Sequence, residues 1–199
     1  MLKLVAIAAL CAAAYGQGDK PVIDNDRVTV WDVTWTKGQT NPARGHDLDA
    51  VVMWVGGSEA RTASFSPKSD RREEQGVGGA NPPRSLIIEL KDHVVPPLEN
   101  KTGYPLAFPR PHVKKVLEND RVIVWSYRWN PGEPTPMHFH DKDVVVVYLE
   151  PTALTSTTPE GAKTLNDYKA FDIRFNKRDR THTELLERGT GSAMMTELK

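Results

Sequence analysis

The chain has 199 residues, of which 39% are hydrophobic and 26% are charged, so it can bury a core and is not disordered by composition. Lysine and arginine number 26 together, as do aspartate and glutamate, and the formal net charge is zero. This balance gives no indication of a strongly basic surface, so we expect neither nucleic acid nor an anionic membrane as a partner. The length suffices for one large or two small domains.

The first sixteen residues have the pattern of a secretory signal peptide. Lys3 gives a positive start, residues 4–14 are apolar, and Ala14 and Gly16 place small residues where a signal peptidase reads. The apolar stretch is too short to span a bilayer. We therefore expect a secreted or periplasmic protein, with no stable membrane span after cleavage before Gln17. The alternative is an N-terminal helix that is retained and packs on the fold.

An internal repeat organises the rest of the chain. The segment VIDNDRVTVWDVTW begins at Val22, and VLENDRVIVWSYRW begins at Val116, which is an offset of 94 residues. Both copies end in Glu-Leu-Lys, and the second copy is 14 residues longer. Self-similarity over this length predicts two domains of the same fold. The shared Asn-Asp-Arg triplet is interpreted as a turn before a strand.

The repeated segments predict strands and turns. Alternating β-branched and aromatic residues indicate half-buried strands, whereas AVVMWV and VVVVYL are continuous apolar runs, typical of strands buried on both faces. No helical periodicity of useful length is present, so the fold class is all-β. Residues 93–113 carry five prolines and cannot form a central strand, so we interpret them as an ordered strap between the domains.

Three histidines of the second copy form the candidate site. His138 and His140 are two residues apart at the head of the valine run, and side chains alternate along a strand, so both imidazoles point the same way. His182 follows 42 residues later. Imidazole suits iron, manganese, zinc, nickel and copper, and three protein ligands leave a position open for substrate. The alternative is a set of polar histidines that bind no metal.

These residues resemble the cupin superfamily, in particular its two-domain bicupins. Gly132, five residues and then His138-x-His140 match the first cupin motif, with Pro136 before the first histidine, and His182 sits where the second motif supplies its histidine. The resemblance implies two tandem jelly-roll β-barrels of the RmlC-like type. Residues 17–92 would form a degenerate cupin-like domain, 93–113 the strap and 114–199 the domain with the metal site, where the three histidines converge.

The chain departs from the cupin pattern in both copies. The glutamate that normally follows His-x-His is missing, since Val144 and Val145 fill its usual places. In the first copy Arg44 replaces the first histidine and His46 stands alone. We therefore expect the first domain to be metal-free.

Two acidic residues are candidates for a further ligand or a general base. Strict alternation puts Asp143 on the face opposite His138 and His140, so a solvent-facing aspartate is favoured over a ligand, and its repeat at Asp49 favours a structural role in the turn. Glu184 shares a strand face with His182, where it is either a general base beside a metal-bound water or a charged rim residue.

Three functions fit the sequence. The first is a small-molecule metalloenzyme, for which cupin analogy allows oxygenase, isomerase or decarboxylase chemistry. The second is a non-catalytic barrel that binds a small polar ligand. The third is a structural barrel, and cupin analogy makes a homodimer a reasonable expectation in each case.

Overall fold

The computed structural model describes residues 20–35, 48–56, 60–68 and 84–199. The predicted signal peptide, Arg44 and His46 lie outside the described residues. The strands are β1 (Ile23–Asp24), β2 (Val28–Thr34), β3 (Asp49–Gly56), β4 (Thr62–Ser66), β5 (Arg84–Leu90), β6 (Val113–Glu118), β7 (Val122–Arg128), β8 (His138–His140), β9 (Asp143–Tyr148), β10 (Thr152–Thr157), β11 (Lys163–Tyr168), β12 (Ile173–Asn176), β13 (Arg180–Gly189) and β14 (Ser192–Leu198).

The all-β prediction is confirmed, and the strands form three antiparallel sheets. Their orders are β1-β2-β5-β3-β4, β6-β7-β14-β9-β12 and β8-β13-β10-β11. The first two sheets correspond strand for strand, so the sequence repeat is a repeat of topology. In the second copy the remaining sheet covers the five-stranded one and closes a jelly roll. Over the described ranges, no helix is long and apolar enough to cross a membrane.

The two copies share one apolar core. Val145 and Val147 of β9 belong to a buried cluster that also contains Val28 and Met53 of the first copy. The intervening Val146 faces the other way, into a second cluster inside the C-terminal jelly roll. Each fully buried valine contributes roughly 1.5–3 kcal/mol. The valine run is therefore buried on both faces, as its continuous apolar pattern predicts.

Reciprocal ion pairs join the two copies at the edge of this shared core. Arg27 Nη1 donates to Asp143 Oδ2 over 2.7 Å, and Arg121 Nη1 donates to Asp49 Oδ2 over 3.0 Å. Arg27 and Arg121 are repeat-equivalent, as are Asp49 and Asp143. The expectation of a solvent-facing Asp143 is wrong, because its side chain is only 10% exposed. Asp143 instead has a structural role, as its repeat at Asp49 suggested, because it forms an ion pair with the other copy.

The turn interpretation of the Asn-Asp-Arg triplet is confirmed. Asn25 Oδ1 accepts the backbone N–H groups of Arg27 and Val28, and Asn119 Oδ1 accepts those of Arg121 and Val122. This side-chain turn fixes where each following strand begins. It also sets the direction in which each arginine leaves its own copy.

The proline-rich segment packs against the C-terminal jelly roll. Ala107 N donates to Phe139 O and Phe139 N to Pro105 O, each over 2.8 Å, which attaches the segment beside β8. Ala107 and Phe108 are buried in the cluster inside that jelly roll. Arg110 therefore enters the same interior as the histidines.

Removing the Asp143 carboxylate should destabilise the protein by about 3 kcal/mol, because Arg27 would remain buried and uncompensated. Asp49→Ala should cost less, since Arg121 and Asp49 are 25% and 21% exposed. Urea unfolding of Asp143→Ala and Asp49→Ala measures both effects. Asp167→Ala, which breaks an exposed pair with Arg188, is the control and should change stability by less than about 1 kcal/mol. An Asp143→Ala effect no larger than this control would contradict the assigned role.

Candidate metal centre

Two antiparallel strands build the site. In the pairing of β8 with β13, His138 lies opposite His182 and His140 lies opposite Arg180. Residues directly opposite each other share a sheet face, and so do residues two apart. His138, His140, Arg180, His182 and Glu184 therefore all project from one face, which is the inner face of the jelly roll.

The three histidines converge, with ring centroids 4.8–5.0 Å apart. Their nearest ligand nitrogens all lie within 4.8 Å of one another. The His140 Nε2 and His182 Nε2 atoms are 3.3 Å apart. His138 is 1% exposed and His182 is 9% exposed, so the cluster is withdrawn from bulk water.

The hydrogen bonds of His138 define its tautomer. Its Nδ1 lies 2.7 Å from the carbonyl oxygen of Pro136, which only accepts, so Nδ1 carries the proton. The lone pair of Nε2 then points into the cluster. Arg110 Nη1 donates to this nitrogen over 3.0 Å. Pro136 thus acts as the outer-shell acceptor that orients metal-binding histidines.

Burial keeps the three imidazoles neutral. It lowers the pKa of His138 to about 3, with the Arg110 cation adding to the effect. Burial also lowers the pKa of His140 well below its ordinary value, and that of His182 more moderately. Neutral imidazole is the form that binds a metal ion.

The residues present fit a divalent metal ion. Two nitrogens bound to one ion at 2.0–2.1 Å, with an angle of 90–110° between them, are about 2.8–3.4 Å apart. The 3.3 Å separation of His140 and His182 falls in this range. The Nδ1 atom of His140 is buried, and none of the described residues bonds to it, so no hydrogen bond at Nδ1 fixes the tautomer of this imidazole. The Nε2 atom of His140 can therefore carry the lone pair that a metal ion needs. Iron, manganese, zinc, nickel and copper all accept such imidazole sets.

Glu184 lies beside the cluster and Asp143 does not join it. Glu184 Oε1 is 3.9 Å from His182 Nε2, and Glu184 Oε2 accepts a hydrogen bond from Trp129 Nε1 over 3.1 Å. Burial alone would raise the pKa of Glu184, but the positive charges of His182 in its protonated form and of Arg110 outweigh it and lower the pKa. The carboxyl group is therefore ionised, as a carboxylate of negative charge beside the histidines. Asp143 is occupied by Arg27.

Arg110 is a site residue that sequence reasoning missed, and so is Arg180 opposite His140. Besides its bond to His138, Arg110 has its Nη2 atom 3.4 Å from Glu184 Oε2 and its guanidinium carbon 4.2 Å over the Tyr127 ring. Its side chain is 5% exposed. The available signal was a lone arginine within the apolar and proline-rich run AFPRPHV, where a charge needs a partner.

A pocket of about 590 Å³ opens beside His182. Its walls come from the proline-rich segment, the β10–β11 turn and the start of β13. The lining residues are Thr102, Tyr104, Ser156, Thr158, Pro159, Glu160, Arg180, Thr181 and His182. This volume is in the usual range for small-molecule sites. A molecule bound in the pocket would lie within reach of His182, one of the three candidate metal ligands.

The C-terminal half of this all-β fold thus holds a buried cluster of three histidines inside a jelly roll. Protein Ylba from E. coli has a similar structure, with a TM-score of 0.51 and 10% identity over 86% of this chain and 76% of that one. This likeness concerns the fold. A cupin domain from Bordetella pertussis is 26% identical to this chain, with a TM-score of 0.41. The alignment covers 46% of this chain and 97% of the Bordetella domain.

Among curated proteins, the chain is similar to the beta-alanine degradation protein BauB of Pseudomonas aeruginosa. The two are 42% identical over 60 residues, which are 30% of this chain and 59% of that protein. The match thus spans less than two thirds of the relative. No protein-family profile matches the chain.

Acid should destabilise the metal-free protein through His138. The pKa of this group is about 3 in the folded state and near the ordinary value of 6.5 when unfolded. Between these values the unfolded chain binds the extra proton, so the free energy of unfolding falls by up to roughly 1.4 kcal/mol per pH unit below about 6.5.

Urea unfolding of EDTA-treated protein at several pH values between about 7 and 4.5 measures this slope. His138→Gln should show a shallower slope than the unmodified chain, and His112→Gln, which alters a half-exposed histidine, should leave it unchanged. Identical slopes in all three proteins would mean that His138 titrates normally.

Proposed function

We propose that this protein binds one divalent metal ion through His138, His140 and His182, and that it uses the ion on a small-molecule substrate. The observation that carries the proposal is the convergence of three neutral, buried imidazoles with ligand nitrogens within 4.8 Å. The pocket beside His182 supports a small molecule as the ligand.

A bound ion would act as a Lewis acid on a substrate oxygen, or serve oxygen chemistry if it is iron. The surrounding residues have separate roles. Glu184 places a negative charge beside the cluster, which favours a cation there, and Trp129 holds that carboxylate in place. Pro136 orients His138. The aromatic packing of Phe108 against His140, with ring centroids 6.4 Å apart, keeps water away from that imidazole.

The reaction class follows from analogy. An oxygenase, isomerase or decarboxylase is consistent with a three-histidine site that keeps open positions. The name of the BauB relative, a beta-alanine degradation protein, supports the breakdown of a small molecule as the setting.

The second candidate function is a small-ligand-binding barrel without catalysis. It is favoured by the contact of Arg110 with His138 Nε2, because this guanidinium occupies the lone pair that a metal ion would need. The missing cupin glutamate, replaced by Val144 and Val145, favours it as well.

Three further inferences belong to this proposal. We infer export to the periplasm or the medium, which the pattern of residues 1–16 supports. We infer a first domain without metal, which the replacement by Arg44 supports. A homodimer remains a prediction from cupin analogy.

Metal content is the direct test. Untagged protein should contain close to one divalent ion per chain, and His138→Ala, His140→Ala and His182→Ala should each lose most of it, because three ligands are needed to hold the ion. Elemental analysis after gel filtration measures this. His93→Ala, which changes an exposed histidine, is the control and should retain the ion. If the protein stays metal-free after reconstitution with iron, manganese, zinc, nickel or copper, the metal proposal fails and the non-catalytic, ligand-binding barrel is the function that remains.

Arg110→Met should tighten metal binding by at least about tenfold, equal to about 1.4 kcal/mol. The substitution frees His138 Nε2, removes a cation from the cluster and releases Glu184 from its 3.4 Å contact with the guanidinium. Isothermal titration with zinc on EDTA-treated protein measures the affinity. Arg188→Met, at an exposed arginine, serves as the control. An affinity that is unchanged or weaker in Arg110→Met would show that the guanidinium does not compete with the ion.

A further inference from the structure

We infer that the pocket beside the histidine cluster binds a small monocarboxylate anion, and that Arg180 is the residue that holds its carboxylate. The inference deepens the proposed function by naming the ligand class of the same site. It rests on that function only for the role of the histidines, since the pocket and its arginine exist without a metal ion.

Arg180 projects into the pocket from a fixed position. It lies two residues before His182 on β13 and directly opposite His140, so its side chain shares the inner face with both. Its Nε donates to the carbonyl oxygen of Lys177 over 2.6 Å, which anchors the guanidinium plane. Both Arg180 and His182 line the pocket, so a molecule bound there contacts the two together.

Among the residues that the structure describes, no acidic side chain forms an ion pair with the Arg180 guanidinium, although the charges of Glu184 and Asp143 act on it from a distance. The ion pairs of those residues include four other arginines of the C-terminal half and one of the first copy, yet none involves Arg180. Those five are Arg110, Arg121, Arg174, Arg188 and, at the junction with the first copy, Arg27 paired to Asp143. Arg180 is half-buried, so its charge is partly withdrawn from water at a cost that a ligand carboxylate would offset.

The charges around the cluster favour the same ligand. Two guanidiniums, Arg110 and Arg180, flank the three neutral imidazoles, whereas Glu184 is the carboxylate on that face and is already bonded to Trp129 and Arg110. The site therefore carries an excess positive charge before any ion enters. An anion is the ligand that neutralises it.

The walls of the pocket limit the size and charge of that anion. Hydroxyl groups of Thr102, Tyr104, Ser156 and Thr158 line it and can bond a carboxylate or a hydroxyl substituent. Glu160 lies exposed at the rim, where it would repel a second negative charge. The combination favours a monocarboxylate over a dicarboxylate.

Matched pairs of probes test the inference. Isothermal titration with lactate and lactamide, and with benzoate and benzamide, compares molecules of nearly equal shape that differ in charge. At least one carboxylate should bind at least about tenfold tighter than its amide, because charge-assisted bonds to Arg180 act on the anion alone. Succinate should bind more weakly than that monocarboxylate.

Variants of Arg180 locate the effect. Arg180→Met should abolish the preference for the carboxylate, and Arg180→Lys should keep part of it, since lysine retains the charge without the bidentate fork. Arg188→Met, an exposed position on the same strand, should keep all of it. Thermal melting followed by circular dichroism verifies that each variant is folded, and the Lys variant supports the comparison if the Met variant is not.

The titrations are run on EDTA-treated and on zinc-loaded protein, so that two failures can be told apart. Carboxylate preference that depends on Arg180 in the EDTA-treated protein supports the inference even if zinc does not bind and the metal proposal fails. Preference that appears only with zinc and survives Arg180→Met would mean that the ion holds the carboxylate, which overturns the inference. Equal binding of carboxylates and amides, or no binding of any carboxylate, overturns it as well.

Discussion

The apolar contact between the two copies of the repeat is the constraint on which the rest of the structure depends. Val145 and Val147 pack with Val28 and Met53 in one cluster, so neither copy buries its five-stranded sheet alone. The reciprocal pairs Arg27–Asp143 and Arg121–Asp49 close the edge of this contact. Apolar burial supplies most of the free energy, and the paired charges fix the register, since each arginine finds its partner in only one relative placement of the copies.

This division of labour leaves the opposite face of the C-terminal sheet free to form a site. Because Val144 and Val146 point away from the first copy, the interior of the jelly roll is enclosed by its own second sheet and by the proline-rich segment. Burial there has two effects on chemistry. It keeps His138, His140 and His182 neutral, and it makes the unpaired charge of Arg180 costly, so the same low-polarity surroundings favour both a metal ion and an anionic ligand.

The proline-rich segment shows how a connection between repeats contributes to a site. Its backbone hydrogen bonds to Phe139, the residue between His138 and His140, hold the segment beside β8. Arg110 is thereby placed against His138 Nε2, and Tyr104 against the pocket. The two arginines then differ in what they do. Arg110 forms an ion pair with Glu184, whereas no acidic residue that the structure describes forms one with Arg180.

The sequence by itself determined the all-β class, the repeat and the shared face of His138 and His140, whereas the place of His182 beside them was implied by the family resemblance. The alternation along a strand and the 94-residue repeat can both be read directly from the sequence, without knowing which segments come together in the fold. Only the tertiary structure decided the partners of the charged residues. Asp143, expected at the surface, is buried against Arg27, which lies 116 residues earlier in the chain. Arg110 contacts His138, which lies 28 residues later. Periodicity assigns a side chain to a face, but the packing of distant segments decides what covers that face.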